Sequence, residues 1–309
     1  MGRDTTLNRL DQFGLIGFAG EDAEAFLHAQ LTSDVSSLAP DKSQYGGYCT
    51  PKGRLLSTFL LWRSEQGYFM QLPSSLREPV QKRLSMFILR SKVTAADASN
   101  AYGRFGIAGN GAETVLKRIF DDAPVAMHEV KHLQHATLIR LPVDRYEVVV
   151  PAEKAGAVRD ALKQEAAEDG PKTWGWLDIR AGIPVITPAT REEFVPQMVN
   201  LDLIGALSYT KGCYPGQEIV ARMHYLGRLK QRMYLAHIVS DAAPQPGDKL
   251  YSAGLGEQSS GMIVNAAPAP EGGYDALAVI QMSSVEAGGV RWKALDGPTL
   301  EFLPLPYPF

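Results

Sequence analysis

Apolar and polar positions change period several times along the chain. Residues 15–20 carry Leu15, Ile16 and Phe18 before Gly20, the pattern of a short strand closed by glycine. Glu21 and Asp22 then open a helix over 23–31, with Ala23, Phe26, Leu27 and Leu31 on one face. β-type runs flanking Gly46-Gly47, Pro51 and Gly53 predict a hairpin over 45–62 with Pro51-Lys52-Gly53 at its tip. Helical spacing returns over 79–90, where Val80, Leu84, Phe87 and Ile88 share a face. Residues 102–116 read as strand, glycine turn and helix, and 138–150 as two strands around Pro142-Val143-Asp144. An alanine-rich helix over 152–168 ends at Gly170-Pro171. From Met233 onward helical periodicity is lost. Short apolar stretches at 234–239, 261–264 and 276–280 alternate with Pro/Gly turns, the texture of a small all-β barrel or sandwich. The pattern predicts an α+β core over 1–232 and a C-terminal β-barrel domain over 233–309.

Composition narrows the function classes. The 309 residues hold 31 Lys+Arg against 34 Asp+Glu, a net charge of −3, which excludes a globally basic nucleic-acid binder and leaves room for a local patch. Two cysteines, Cys49 and Cys213, exclude a disulfide framework and a four-thiolate metal site within one chain. The first eleven residues lack the apolar run of a secretory signal, and runs such as 59–62 are far below the roughly 20 residues that span a bilayer. A cytoplasmic protein with no membrane or DNA partner is expected. His128, His132 and His135 would share a helical face, but 133–141 reads as a strand, so no metal site is predicted. The glycines of 103–109 lack dinucleotide-binding spacing.

The least generic stretch is Lys211-Gly212-Cys213-Tyr214-Pro215-Gly216-Gln217-Glu218, which opens a helix running to Met223. A thiol before a helix N-terminus, with Lys211 and Arg222 nearby, has its thiolate favoured by positive charge. The same pattern also suits an inert cysteine packed in a tight turn. Lys211, Arg222, Arg228, Lys230 and Arg232 against Glu218 make 211–232 locally basic. That is either a solvated face or an attraction for anions such as a polyglutamyl tail or RNA.

This stretch, continued by Ile219-Val220-Ala221-Arg222, resembles the signature of the YgfZ-type folate-binding proteins, relatives of the aminomethyltransferase (T-protein) of the glycine cleavage system. Gln30-Leu31-Thr32-Ser33-Asp34-Val35, Ala181-Gly182-Ile183-Pro184 and residues 194–202 are similar to further stretches of that family, so the resemblance spans roughly 10–232. It implies a T-protein-like fold of three domains around a cavity that binds tetrahydrofolate. It also implies support for the maturation or repair of iron–sulfur enzymes, with those enzymes as partners and an indirect link to tRNA.

The same resemblance, with charge chemistry, nominates site residues. Gln30, Thr32 and Asp34 would lie near the cavity, Asp34 accepting from pterin donors. Lys52, Arg54 and Arg222 would face the anionic glutamyl end, Gln197 and Asn200 would supply amide hydrogen bonds, and Lys211, Gln217 and Glu218 belong to the motif around the cavity. Cys213 would be the functional thiol, either a transient metal ligand or a partner in a mixed disulfide with a client. The T-protein's acidic pair has no counterpart. In Gly53-Arg54-Leu55-Leu56-Ser57-Thr58-Phe59, Ser57 and Thr58 stand where carboxylates belong, and a hydroxyl without a base cannot accept an amine proton near pH 7. The family's pterin-facing glutamate matches Arg180, with Asp178 two residues away. An accessory protein is therefore expected. A folate-dependent aminomethyltransferase and an RNA-binding tRNA-modification factor are the alternatives.

Overall fold

The computed structural model describes residues 5–309; the first four, part of the polar stretch read as lacking a secretory signal, lie outside it. In chain order, β1 (Thr6–Arg9) and β2 (Phe13–Ala19) lead into α1 (Ala23–Gln30), then β3 (Ser43–Cys49), β4 (Leu55–Ser64), β5 (Gly67–Pro73) and α2 (Ser74–Ser85). Next come β6 (Thr94–Asp97), β7 (Tyr102–Ala108), α3 (Ala112–Phe120), β8 (Val130–Leu133), β9 (Ala136–Leu141), β10 (Arg145–Pro151) and α4 (Ala152–Glu165). β11 (Ala167–Asp169), α5 (Pro171–Arg180) and α6 (Gln217–Tyr225) precede the terminal strands. These are β12 (Gln231–Ile238), β13 (Lys249–Tyr251), β14 (Ser259–Pro268), β15 (Tyr274–Gln281), β16 (Arg291–Trp292) and β17 (Leu300–Leu303), with α7 (Met282–Ala287) after β15.

The chain forms two compact units. The first holds the described residues up to His28, Asp34–Tyr45 and Phe59–Trp174; the second holds Ala29–Ser33, Gly46–Thr58 and Gly175–Phe309. β3 and β4 each carry the chain from one unit to the other. The boundary at 232/233 read from periodicity falls inside the second unit.

In the first unit a six-stranded sheet has the order β11-β1-β7-β10-β9-β8. Its core gathers Leu7, Phe105, Ile107, Leu138, Tyr146, Val148 and Val150 with Val115 and Leu116 of α3 and Leu162 of α4. β2 pairs with β5 and β6 in the second sheet of this unit, and the 60–64 half of β4 pairs with β5. Gln71 of β5 donates both amide hydrogens to Glu147 of β10, at 2.8 and 2.9 Å, so a buried carboxylate joins the two sheets.

The second unit contains the terminal sheet, order β16-β13-β14-β15-β12-β17. Its edges meet: Arg291 bridges Thr299, Trp292 N–H donates to the Pro298 carbonyl, and Leu300 N–H donates to that of Val290. The sheet is thus curled into a barrel-like wall around Ile238, Leu250, Ile263, Ala278, Ile280 and Trp292.

Three expected elements shift. The helix read over 79–90 is α2, Ser74–Ser85, burying Leu76, Val80 and Leu84. Pro79 lies inside it and Pro73 occupies the N-cap, while Phe87 and Ile88 fall past its end, Phe87 being 42% exposed. The helix over 152–168 stops at Glu165, because 167–169 pair in parallel with β1; Pro171 starts α5, where its missing N–H has no helical role. The strand read over 133–141 is a hairpin, Leu133 pairing with Ala136 across a turn that carries His135.

Candidate functional site

The hairpin tip at 50–54 and the loop at 208–217 meet inside the second unit through two glycines. Gly53 has φ +70° and Gly216, the N-cap of α6, has φ +85°, a region unfavourable to side chains. A Cβ on Gly216 would lie 2.5 Å from the Thr50 carbonyl oxygen and 2.6 Å from Gly53 Cα. The backbones approach so closely that only glycine fits, which seats the loop on the hairpin.

Thr32, Lys211 and Tyr214 are buried beneath this contact. Thr32 Oγ1 donates to the Ala206 carbonyl and accepts from the Gly47 N–H, both at 2.8 Å, and the Ser208 N–H donates to the Thr32 carbonyl. Lys211 is buried; its ammonium donates to the Leu31 carbonyl at 2.7 Å and lies 4.7 Å from the centroid of the buried Tyr214 ring. Burial pushes the Tyr214 phenol upward in pKa. Gln217 Nε2 donates to the Lys211 and Gly212 carbonyls, at 3.3 and 3.4 Å, and closes the loop across its base. Cys213 stands exposed between these anchors, whereas Cys49 is buried in β3 and its thiol is raised by desolvation.

Further expected site residues are also part of the framework. Gln197 Nε2 donates to the Val220 carbonyl at 2.7 Å, and Asn200 Nδ2 donates to that of Met233 at 2.8 Å. Arg232 donates to the Gln197 carbonyl and grips Asp202 through two bonds of 2.7 and 2.9 Å, so its charge is neutralised. Asp34 belongs to the first unit. Its carboxylate accepts from the Ser36 hydroxyl at 2.7 Å and from the Ser36 and Ser37 N–H groups. With His28 Nδ1 at 3.2 Å, these contacts hold it below the usual carboxylate range, the Ser36 hydroxyl foremost. Lys52, Glu218 and Arg222 are exposed.

Arg54 is half-buried and donates to the Glu193 carbonyl at 2.6 Å. It lines a cavity of about 210 Å³ in the second unit, with Lys249, Glu193, Gln231, Met198 and Met262. Sequence reading missed Lys249, which comes from β13 and reaches this cavity only through the fold. Gln30 Oε1, Gln197 Oε1 and the Tyr214 hydroxyl are buried without a hydrogen-bond partner among the described residues.

Ser57 and Thr58 are buried and spend their hydroxyls on backbone. Ser57 donates to the Thr58 carbonyl at 2.9 Å; Thr58 donates to that of Pro184 at 2.8 Å and accepts from the Ile186 N–H. Arg180 lies 3.6 Å from Asp275, a buried carboxylate that also accepts from Trp176 and pairs with His237. Among the described residues, no group of three His, Cys, Asp or Glu could hold a metal ion. His128 bonds the Ser43 hydroxyl at 3.1 Å and meets the Tyr45 ring edge-on, and burial lowers its pKa to about 4.

The family model of the GCVT N-terminal domain matches residues 3–181. The "tRNA-modifying protein YgfZ" of Shigella sonnei (strain Ss046) is 32% identical over 305 residues, covering 98% of this chain and 93% of that protein. The chain belongs to the YgfZ family. The Escherichia coli O139:H28 protein of the same name matches with the same identity and coverage. The fold is that of the T-protein: the glycine cleavage system aminomethyltransferase T of Bartonella henselae superposes with a TM-score of 0.80 at 16% identity, over 99% of this chain and 86% of that one. Family membership therefore carries the GCVT-type architecture. No helix of the described residues is long and apolar enough to cross a membrane.

Proposed function

We propose that this chain is a cytoplasmic tetrahydrofolate-binding accessory protein that supports the maturation or repair of iron–sulfur enzymes, among them enzymes that modify tRNA. The observation that carries the reading is Cys213: an exposed thiol on a loop fixed by Lys211, Gln217 and Gly216, beside the buried Lys211 and Tyr214. Two unpaired cysteines suit a reducing compartment. The curated relatives' name supports the tRNA link.

The second unit has chemistry suited to a reduced folate. Gln30 Oε1 and the Tyr214 hydroxyl are buried acceptors that pterin N–H groups would satisfy. Arg54 and Lys249 put two cations on a cavity of about 210 Å³. That is below the roughly 300–1,000 Å³ of pockets that enclose drug-sized ligands, so it would take the glutamyl carboxylates and not the whole molecule. Lys52 adds a third, exposed cation at the hairpin tip. Aminomethyl transfer is disfavoured because Ser57 and Thr58 supply no base.

Anaerobic calorimetry with tetrahydrofolate tests the binding. Saturable micromolar affinity is expected, about −8 kcal/mol, weakened in Arg54→Ala. Cys213→Ser should bind folate normally and fail to support an iron–sulfur client enzyme in a reconstituted assay. Absence of binding up to millimolar folate would overturn the reading.

A further inference from the structure

The end of the motif and the segment after it present a surface of which the folate reading nominates only Arg222. The imidazole of His224 stacks on Tyr209, with centroids 3.8 Å apart and planes 16° from parallel. Tyr225 stands edge-on to both rings, 4.7 Å from His224 and 6.4 Å from Tyr209. These contacts restrict the Tyr225 ring while 65% of the residue remains exposed, which leaves aromatic surface of a partly fixed ring open to a ligand. Tyr209 lies fifteen residues before His224, and nothing in the sequence pattern announces their contact. Folding thus brings an aromatic cluster beside the basic stretch.

The charges around it are uncommitted. Arg222 sits three positions before Tyr225 on α6 and shares its helix face. Arg228 and Lys230 follow the helix end, where Gly227 makes a tight turn. All three are exposed, and none makes an ion pair among the described residues, unlike Arg232, which Asp202 neutralises. The one carboxylate on α6, Glu218, lies seven positions before Tyr225, about 10 Å along the axis.

We propose that residues 222–230 bind unpaired RNA, with a base stacked on Tyr225 and phosphates held by Arg222, Arg228 and Lys230. A flat, partly fixed aromatic ring beside separated cations complements a strand with exposed bases, whereas a duplex hides its base faces. An acidic peptide would satisfy the cations and leave the Tyr225 face unused. The proposal stands apart from the folate reading, because Tyr225, Arg228 and Lys230 have no part in that site.

Fluorescence anisotropy with a labelled, unstructured oligouridylate tests it, using an RNA duplex and oligoglutamate as competitors. Single-strand binding is expected, with log K falling against log salt with a slope of about −2 for three phosphates. Tyr225→Ala should weaken it about tenfold or more and Tyr225→Phe should retain it; Arg228→Glu with Lys230→Glu should remove it. Unchanged thermal midpoints and folate titrations in these variants would separate loss of the surface from loss of the fold or of the folate site. Equal affinity for the duplex, equal binding by Tyr225→Ala, no RNA binding, or competition by oligoglutamate alone would each overturn the proposal.

Discussion

Lys211 and Arg222 are cations eleven residues apart in one continuous motif, and the fold uses them in opposite ways. The lysine is buried, donates a hydrogen bond to the Leu31 carbonyl and rests on an aromatic ring. The arginine projects from α6 without an ion pair among the described residues. The same contrast separates the loop at 208–217, whose polar side chains mostly close on backbone atoms, from 222–230, whose charges remain available. A motif rich in chemistry can thus be largely framework, with the reactive or binding groups confined to the positions the framework leaves outside.

Substitutions should divide along this line. The largest effect is expected from Gly216→Ala, which puts a Cβ against the Thr50 carbonyl at positive φ; about 3 kcal/mol of stability should be lost in denaturant unfolding. An unchanged midpoint would mean that the hairpin and the loop are not locked together. Lys211→Met comes next, leaving the Leu31 carbonyl unpaired and costing about 2 kcal/mol by the same measurement.

A buried base with no opposite charge gives the intermediate case. The fold keeps His128 neutral down to about pH 4, while the unfolded chain takes up the proton near pH 6.5. Its contribution is therefore intact above pH 6.5 and is lost as pH falls towards 4. About 1 kcal/mol should be gone by pH 5.5, and His128→Asn should flatten that part of the profile. The smallest effect belongs to Arg222→Met, within about 0.5 kcal/mol of the parent. A loss as large as that of Lys211→Met would erase the distinction between the two cations.

The sequence announces what depends on local chemistry. Pro51 and Gly53 mark the hairpin tip, Gly216 and Gln217 mark the start of α6, and loss of helical periodicity marks the terminal sheet. What it hides depends on partners remote along the chain. The polar, exposed β11 is a strand only because β1 lies beside it. Thr32 and Asn200 look like ligand-binding groups until the carbonyls of Ala206 and Met233 are found beside them. Lys249 and Tyr209 are unremarkable residues until folding places one at the Arg54 cavity and the other under His224.

The route of the chain has a consequence for synthesis. It crosses between the two compact units five times, and the second unit takes 29–33 and 46–58 from early sequence before collecting everything from Gly175 onward. On a ribosome, the first of these pieces emerges long before its partners. The Leu31 carbonyl waits for Lys211, Thr32 for Ala206, and the hairpin tip for Gly216. A nascent chain halted before residue 206 has none of these closures, so the early segments of the second unit must stay unsealed until the motif arrives.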